Sequence, residues 1–167
     1  YEKNAERMLA PRKVPTPIAL SPKKSSIHYQ PMGVVAVISP WNYPFQLSVV
    51  PVLSALIAGN TVILKPSEIT PGVGVLIEEL FQAVPAPQHI VQVLHGGRQV
   101  GQALVAARPD KIFFTGSVAT GKKIMAQAAE HLIPVELELG GKDPMIVLED
   151  AHLERAANGA VWGAFTN

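Results

Sequence analysis

The chain has 167 residues, a formal net charge of +1, and 48% apolar against only 16% charged side chains. That length supports one domain with a buried core, and the near-neutral balance without a long basic run argues against nucleic acid or a polybasic membrane contact. The absence of cysteine excludes disulfides, thiolate metal sites and a cysteine nucleophile supplied by this chain.

The high apolar fraction implies a surface that packs against something outside the chain. No stretch approaches the length of a membrane span, and the opening Tyr-Glu-Lys-Asn-Ala-Glu-Arg is unlike a signal peptide, so the expectation is a soluble, cytoplasmic protein. The histidines at 28, 89, 95, 131 and 152 show no spacing that suggests a metal site.

Residues 1–13 are of mixed charge and read as the end of a helix that begins outside this chain. Pro15, Pro17, Pro22 and Pro31 then punctuate two extended pieces, 16–20 and 25–30, which fit a projecting hairpin or arm. From 32 onward the pattern changes. Apolar runs at 34–38, 61–64, 90–94 and 111–114 alternate with helical segments at 45–58, 71–83, 100–107 and 118–131, the first of them kinked at Pro51. A strand with alternating faces follows at 134–139, a further strand at 144–148 and a last helix at 153–165. On the third helical segment Val75, Leu76, Leu80 and Phe81 form the apolar side; on the fifth, Val118, Gly121, Met125 and Ala128 form the buried stripe, with Ile124 and Ala129 beside it. The alternation predicts an α/β fold, a doubly wound, mostly parallel sheet covered by helices on both faces.

The chain is organised around 111–123, where an apolar strand meets Gly116-Ser117 and then a helix. A helix start carries unpaired N–H groups and partial positive charge, which suits a phosphate or pyrophosphate. Two other readings stay open: a strand–turn–helix joint without a ligand, and a P-loop, since Gly116 to Lys122 matches G-x-x-x-x-G-K although Lys123 stands where Ser or Thr must hold magnesium.

Ligands of such sheets lie beyond the carboxyl ends of strands. Trp41, Asn42, Lys65, Glu68, Gly97, Gly116, Ser117 and Glu138 all fall at or just past a predicted strand end. Lys65 and Glu68 are spaced to reach ribose hydroxyls together, and a carboxylate there disfavours a 2′-phosphate; the plainer reading is a helix start capped by Ser67 or Thr70. Asn42, in a proline-flanked turn, could donate to an oxyanion, a contribution of roughly 3 kcal/mol to a transition state, or simply make an Asx-turn. Glu138 alternates with Val135, Leu137 and Leu139, next to glycines that leave space, so it reads as a general base raised in pKa by partial burial, or as a solvated strand carboxylate.

Pro40-Trp-Asn42, Lys65-Pro-Ser-Glu68, Phe114-Thr-Gly-Ser117 with Gly121, Glu138-Leu-Gly-Gly-Lys142 and Phe165-Thr-Asn167 together resemble the aldehyde dehydrogenase superfamily, in order and at its spacings, from about Pro31 to the end. Trp41-Asn-Tyr-Pro-Phe45 and His131-Leu-Ile-Pro134 look most like its class 3 branch, including coniferyl aldehyde dehydrogenases. The resemblance implies a Rossmann-like domain at 32–167, incomplete at its C-terminus, and an arm at 1–31 of the kind used for oligomerisation. It implies NAD, with NADP also tolerated, held by Ile38, Ser39, Trp41, Lys65, Glu68, Gly97, Gly116, Ser117 and Leu139. Asn42 would hold the oxyanion and Glu138 would activate water. The implied chemistry is attack of a cysteine thiolate on an aldehyde, hydride transfer to the nicotinamide, and hydrolysis of the thioester to the acid. Asn167 corresponds to the first residue of the family's Asn-x-Gly-Gln-x-Cys motif, so the nucleophile lies beyond this chain, which alone is expected to be inactive. The alternative is a non-catalytic dinucleotide-binding or interaction module.

Overall fold

The computed structural model describes every residue except Tyr1, Ala86, Gln88 and Asn167; the correspondence drawn for Asn167 therefore lies outside the described residues. Helix α1 (Glu2–Leu9) leads into an antiparallel pair, β1 (Arg12–Val14) and β2 (Ser25–Ile27), in which Arg12 faces Ile27 and Val14 faces Ser25. The arm is a hairpin, but its first strand lies upstream of the expected 16–20. Pro15 and Pro17 bring no N–H to a ladder, and the chain turns instead into a 3-10 segment, Ile18–Leu20, with Leu20 N donating to Pro17 O at 2.9 Å.

The remainder is the expected α/β alternation: β3 (Val34–Ile38), α2 (Gln46–Ile57), β4 (Thr61–Lys65), α3 (Pro71–Ala83), β5 (Val91–Val93), α4 (Arg98–Ala106), β6 (Lys111–Gly116), α5 (Val118–Ala129), β7 (Val135–Leu139) and α6 (Leu153–Phe165). Five strands form one all-parallel sheet in the order β5-β4-β3-β6-β7. From β3 the chain winds outward to β4 and β5, then crosses back to lay β6 on β3's other edge, so the switch of direction falls between β3 and β6.

Strand β3 reads as an unbroken apolar run because both its faces are covered. Val35 and Val37 join Val62 and Leu64 against Val52, Ala55 and Ile77 of α2 and α3, while Ala36 and Ile38 join Ile112 and Phe114 against Leu104, Val105, Ile124 and Ala128 of α4 and α5. Each fully buried aliphatic side chain there stabilises the fold by about 1.5–3 kcal/mol. Its start is fixed by Asp110, whose carboxylate accepts from Val34 N at 2.7 Å across Gly33, which is at φ +125°.

Two helical faces differ from expectation. On α3 Phe81 packs against the core as expected, but the buried residues are Gly74 and Ile77, and Val75, Leu76 and Leu80 are exposed; a Cβ on Gly74 would lie 2.8 Å from Pro66 Cγ, so the glycine lets this side close down on the loop after β4. On α5 the stripe is Gly121, Ile124 and Ala128, while Met125 and Val118 are exposed. Gly121 sets that rotation, since a Cβ there would stand 2.8 Å from Leu139 Cδ2.

The strand expected at 144–148 is absent: the segment is irregular, and Met145, Ile146, Val147 and Leu148 are all exposed. A strand needs a ladder partner, and this segment pairs with none of the described strands. Helix α6 likewise buries none of its residues, leaving Trp162 and Phe165 exposed. Among the described residues, no helix is long and apolar enough to cross a membrane.

Candidate functional site

The carboxyl ends of β3, β4, β6 and β7 share one edge of the sheet, and two clefts open there on either side of the turn at 39–42 and the β6–α5 junction. That turn is held from below. Ser48, buried in α2, donates its hydroxyl to Pro44 O at 2.6 Å and, with its proton so used, accepts from Ser39 Oγ at 2.6 Å. Ser39 N in turn donates to Lys65 O at 3.2 Å, tying the ends of β3 and β4 together. Ser48 was not picked out from the sequence, because a small polar residue in an apolar helix carries no signal until its depth is known.

The first cleft, of about 440 Å³, lies between β3–β4 and the starts of α4 and α5. Ile38, Ser39, Trp41, Lys65, Glu68, Gly116 and Ser117 line it. Lys65 is almost fully buried, and its Nζ donates to Glu68 Oε2 at 2.6 Å, while the Glu68 side chain stays 49% exposed at the cleft mouth. The hydrogen bond from Lys65, with a backbone hydrogen bond and the ammonium's charge adding to it, holds the Glu68 carboxyl below its ordinary value against a smaller opposing effect of burial. Of the two residues in the plainer capping reading, Thr70 caps α3 in position but makes no side-chain capping bond, whereas Ser67 Oγ accepts from Ile69 N at 3.3 Å. Gly97 caps α4, and a Cβ on it would lie 3.9 Å from Glu68 Oε1, so it borders the pair without lining the cleft itself.

The β6–α5 junction forms the wall between the clefts. Ser117 caps α5, its Oγ accepting from Thr120 N at 3.3 Å. Apart from Thr120 N, the first turn of α5 keeps the N–H groups and partial positive charge that suit an anion. Gly116 is required by packing rather than by an unusual φ: a Cβ would sit 2.5 Å from Phe114 Cζ.

The second cleft, of about 680 Å³, contains Asn42 and Glu138 together with Trp41, Gly116, Ser117 and Leu139. Its far wall, Leu47, Val50, Pro51 and Phe113, is apolar. Both polar groups are exposed, and among the described residues neither side chain makes a hydrogen bond or ion pair. Asn42 thus makes no Asx-turn. Glu138 alternates with Val135, Leu137 and Leu139, which pack on the α5 side of the sheet; the partial burial expected for it is not found, because β7 is the edge strand and the exposed residues 140–148 do not cover it.

Every site residue expected from the sequence except Gly97 lines one of the two clefts, and Trp41, Gly116 and Ser117 line both. Arg98, Gln102, Lys123 and Gln127 of the first cleft and Gln46 and Leu47 of the second were not singled out, since each sits on a helix where a polar or apolar side chain is unremarkable. Among the described residues no group of three or more His, Cys, Asp or Glu is placed to hold a metal ion.

A family profile described as the aldehyde dehydrogenase family matches residues 1–167. The chain is 55% identical over all its length to a 4,4′-diapolycopene aldehyde oxidase of Methylomonas sp, of which it covers 32%, and 44% identical over 93% of its length to a 4,4′-diaponeurosporen-aldehyde dehydrogenase of Staphylococcus aureus, of which it covers 34%. Superposed on a substrate-bound Staphylococcus aureus AldH structure, it gives a TM-score of 0.91 at 41% identity, over 98% of this chain and 36% of that one. The NAD+ complex of an aldehyde dehydrogenase from Bacillus cereus matches with a TM-score of 0.87 at 39% identity, over 96% of this chain and 32% of that one. The chain spans about a third of the length of these relatives, and the solved structures similar to it include an aldehyde dehydrogenase in complex with NAD+. On the full-length profile match and these identities, the chain belongs to the aldehyde dehydrogenase family.

Proposed function

We propose that this chain is the coenzyme-binding portion of an NAD(P)-dependent enzyme that oxidises an aldehyde to a carboxylic acid. The observation that carries the reading is the pair of clefts sharing one wall, Trp41, Gly116 and Ser117, with a nucleotide-type ion pair on one side and an amide and a carboxylate on the other.

The residues of the first cleft fit a dinucleotide. Lys65 and Glu68 offer a donor and an acceptor for ribose hydroxyls, and the start of α5 behind Gly116 offers N–H groups to a pyrophosphate. Ile38 and Ser39 border that path, Leu139 lines the second cleft beyond the Gly116–Ser117 wall, and Gly97 keeps the approach to Glu68 open. When bound, the nicotinamide supplies the hydride acceptor.

In the second cleft the Asn42 amide donates to the oxygen of the reacting carbonyl as it gains negative charge. The Glu138 carboxylate takes a proton from the water that releases the acid. The nucleophile is a cysteine outside this chain, which has none, so the chain alone is inactive and the whole protein performs the reaction. The hairpin β1–β2, set apart from the main sheet, fits an oligomerisation arm at 1–31 beside a dinucleotide domain at 32–167. The apolar wall of Leu47, Val50 and Phe113 suits an apolar aldehyde, in line with the names of the two relatives.

The test is an assay of the whole protein with apolar aldehydes, following NADH at 340 nm. Aldehyde-dependent NADH is expected; coenzyme binding without it would leave the non-catalytic binding module as the better reading.

A further inference from the structure

The Asn42 side chain is exposed and makes no hydrogen bond with any described residue, so the turn 39–44 that carries it sets where its amide stands. Both ends of that turn meet at one atom. Ser48 Oγ donates to Pro44 O at 2.6 Å and accepts from Ser39 Oγ at 2.6 Å. The first bond is the ordinary one from a helical serine to the carbonyl four residues earlier. The second is not local: it joins α2 to the end of β3, and Ser39 N extends it by donating to Lys65 O at 3.2 Å, at the end of β4. Ser48 is 0% exposed and Ser39 5%, so water does not replace their bond once a partner is removed. The connection thus runs from Lys65, whose Nζ holds Glu68 in the first cleft, to the carbonyl that closes the turn facing the second.

We infer that Ser48 is a positioning residue that aims Asn42 at the reacting carbonyl, a role that rests on the reading of Asn42 as the donor to the developing oxyanion. Ser48 lines neither cleft and so acts only through the turn. An oxyanion donor is effective when it is in place before the charge appears, because a turn that must reorganise at that moment gives back much of the gain. Pro40 and Pro44 restrict φ within the turn but do not tie it to its surroundings. Ser48 does, by holding both ends against α2. With Ala at this position Ser39 Oγ and Pro44 O lose their shared partner, while the prolines and the bond from Ser39 N to Lys65 O remain. The turn keeps its place on the sheet and loses its aim.

The experiment compares steady-state kinetics and NAD+ titration of the whole protein for the wild type, Ser48→Ala, Ser48→Thr, Asn42→Ala and the Ser48→Ala/Asn42→Ala double variant. Ser48→Ala is expected to lower kcat about tenfold or more, as for a misplaced catalytic group, with the Kd for NAD+ changed less than about threefold. Ser48→Thr keeps the hydroxyl and should hold kcat within about threefold of the wild type. In the Asn42→Ala background Ser48→Ala should cost less than about threefold further, because the group it aims is gone. Equal fractional losses in both backgrounds, no loss of kcat in Ser48→Ala, a loss in Ser48→Thr as large as in Ser48→Ala, or loss of NAD+ binding in step with turnover would overturn the inference and leave the reading of Asn42 standing. An unchanged kcat in Asn42→Ala overturns that reading itself, and the role of Ser48 with it.

Discussion

The two clefts share a wall yet are finished to different degrees. In the first, one charged pair is already made and the turn is fixed: Lys65 is buried and bound to Glu68, and Ser39 is held through Ser48. In the second, Asn42 and Glu138 stand exposed and, among the described residues, without partners. The difference follows from the sheet. The first cleft lies at the switch between β3 and β6, with α4 and α5 closing its sides, whereas the second lies toward the β7 edge, past which the chain is irregular. A group that must bind can be organised by one domain, but a group that must react needs its surroundings dry and aimed. Here the exposed apolar residues 145–148 and the uncovered helix α6 lie on the same C-terminal stretch as the unfinished cleft.

Substitutions in the whole protein should separate the clefts. Glu138→Gln is expected to have the largest effect, lowering steady-state turnover by about 10²–10⁴ through loss of a general base. Coenzyme affinity should not change, and a single turnover of NADH should survive, because the base acts on the water and not on the hydride step. Loss of coenzyme binding in stopped-flow titration would place Glu138 in the wrong cleft. Asn42→Ala should follow, with kcat reduced about 10²–10³ at unchanged coenzyme affinity. If KM alone rises, Asn42 holds the aldehyde and does not stabilise the oxyanion.

Gly116→Ala should do the opposite, striking the shared wall. Its Cβ would meet Phe114 Cζ at 2.5 Å, and the ring is buried in the cluster that includes Ile38, Ile112 and Ile124. Overpacking of this kind costs about 1–3 kcal/mol. Urea unfolding should show that loss, and coenzyme titration a weaker Kd. An unchanged midpoint would mean the ring can move and the glycine is not needed for packing.

The architecture was legible because buried parallel strands leave continuous apolar runs, and 34–38, 61–64 and 111–114 each proved to be one. The site was legible as a set of strand ends. Facing was harder: Val75, Leu76 and Leu80 make an apolar row on α3, yet Gly74 turns the helix so that Ile77 is buried instead. A glycine's close approach depends on what stands opposite it, here Pro66 and His95, and periodicity does not record that. The 144–148 run failed for a related reason, since Pro-Met-Ile-Val-Leu has strand composition but a strand exists only beside another.

The smallest effect concerns the pair that makes the first cleft ready. Lys65 holds the Glu68 carboxyl below its ordinary value of 4.5, so the ionised form is favoured in the folded state. The stabilisation is therefore complete above the ordinary value and is lost as pH falls through the lower, folded one. Glu68 is half exposed, so solvent screening limits the pair to about 1 kcal/mol or less. Thermal unfolding of the wild type and Glu68→Gln should differ by a constant small amount between about pH 7 and pH 5, and the gap should close only below that range. A gap that closes above pH 5 would mean the pair is not formed before coenzyme arrives, and the contrast between a prepared cleft and an unfinished one would lose its firmest support.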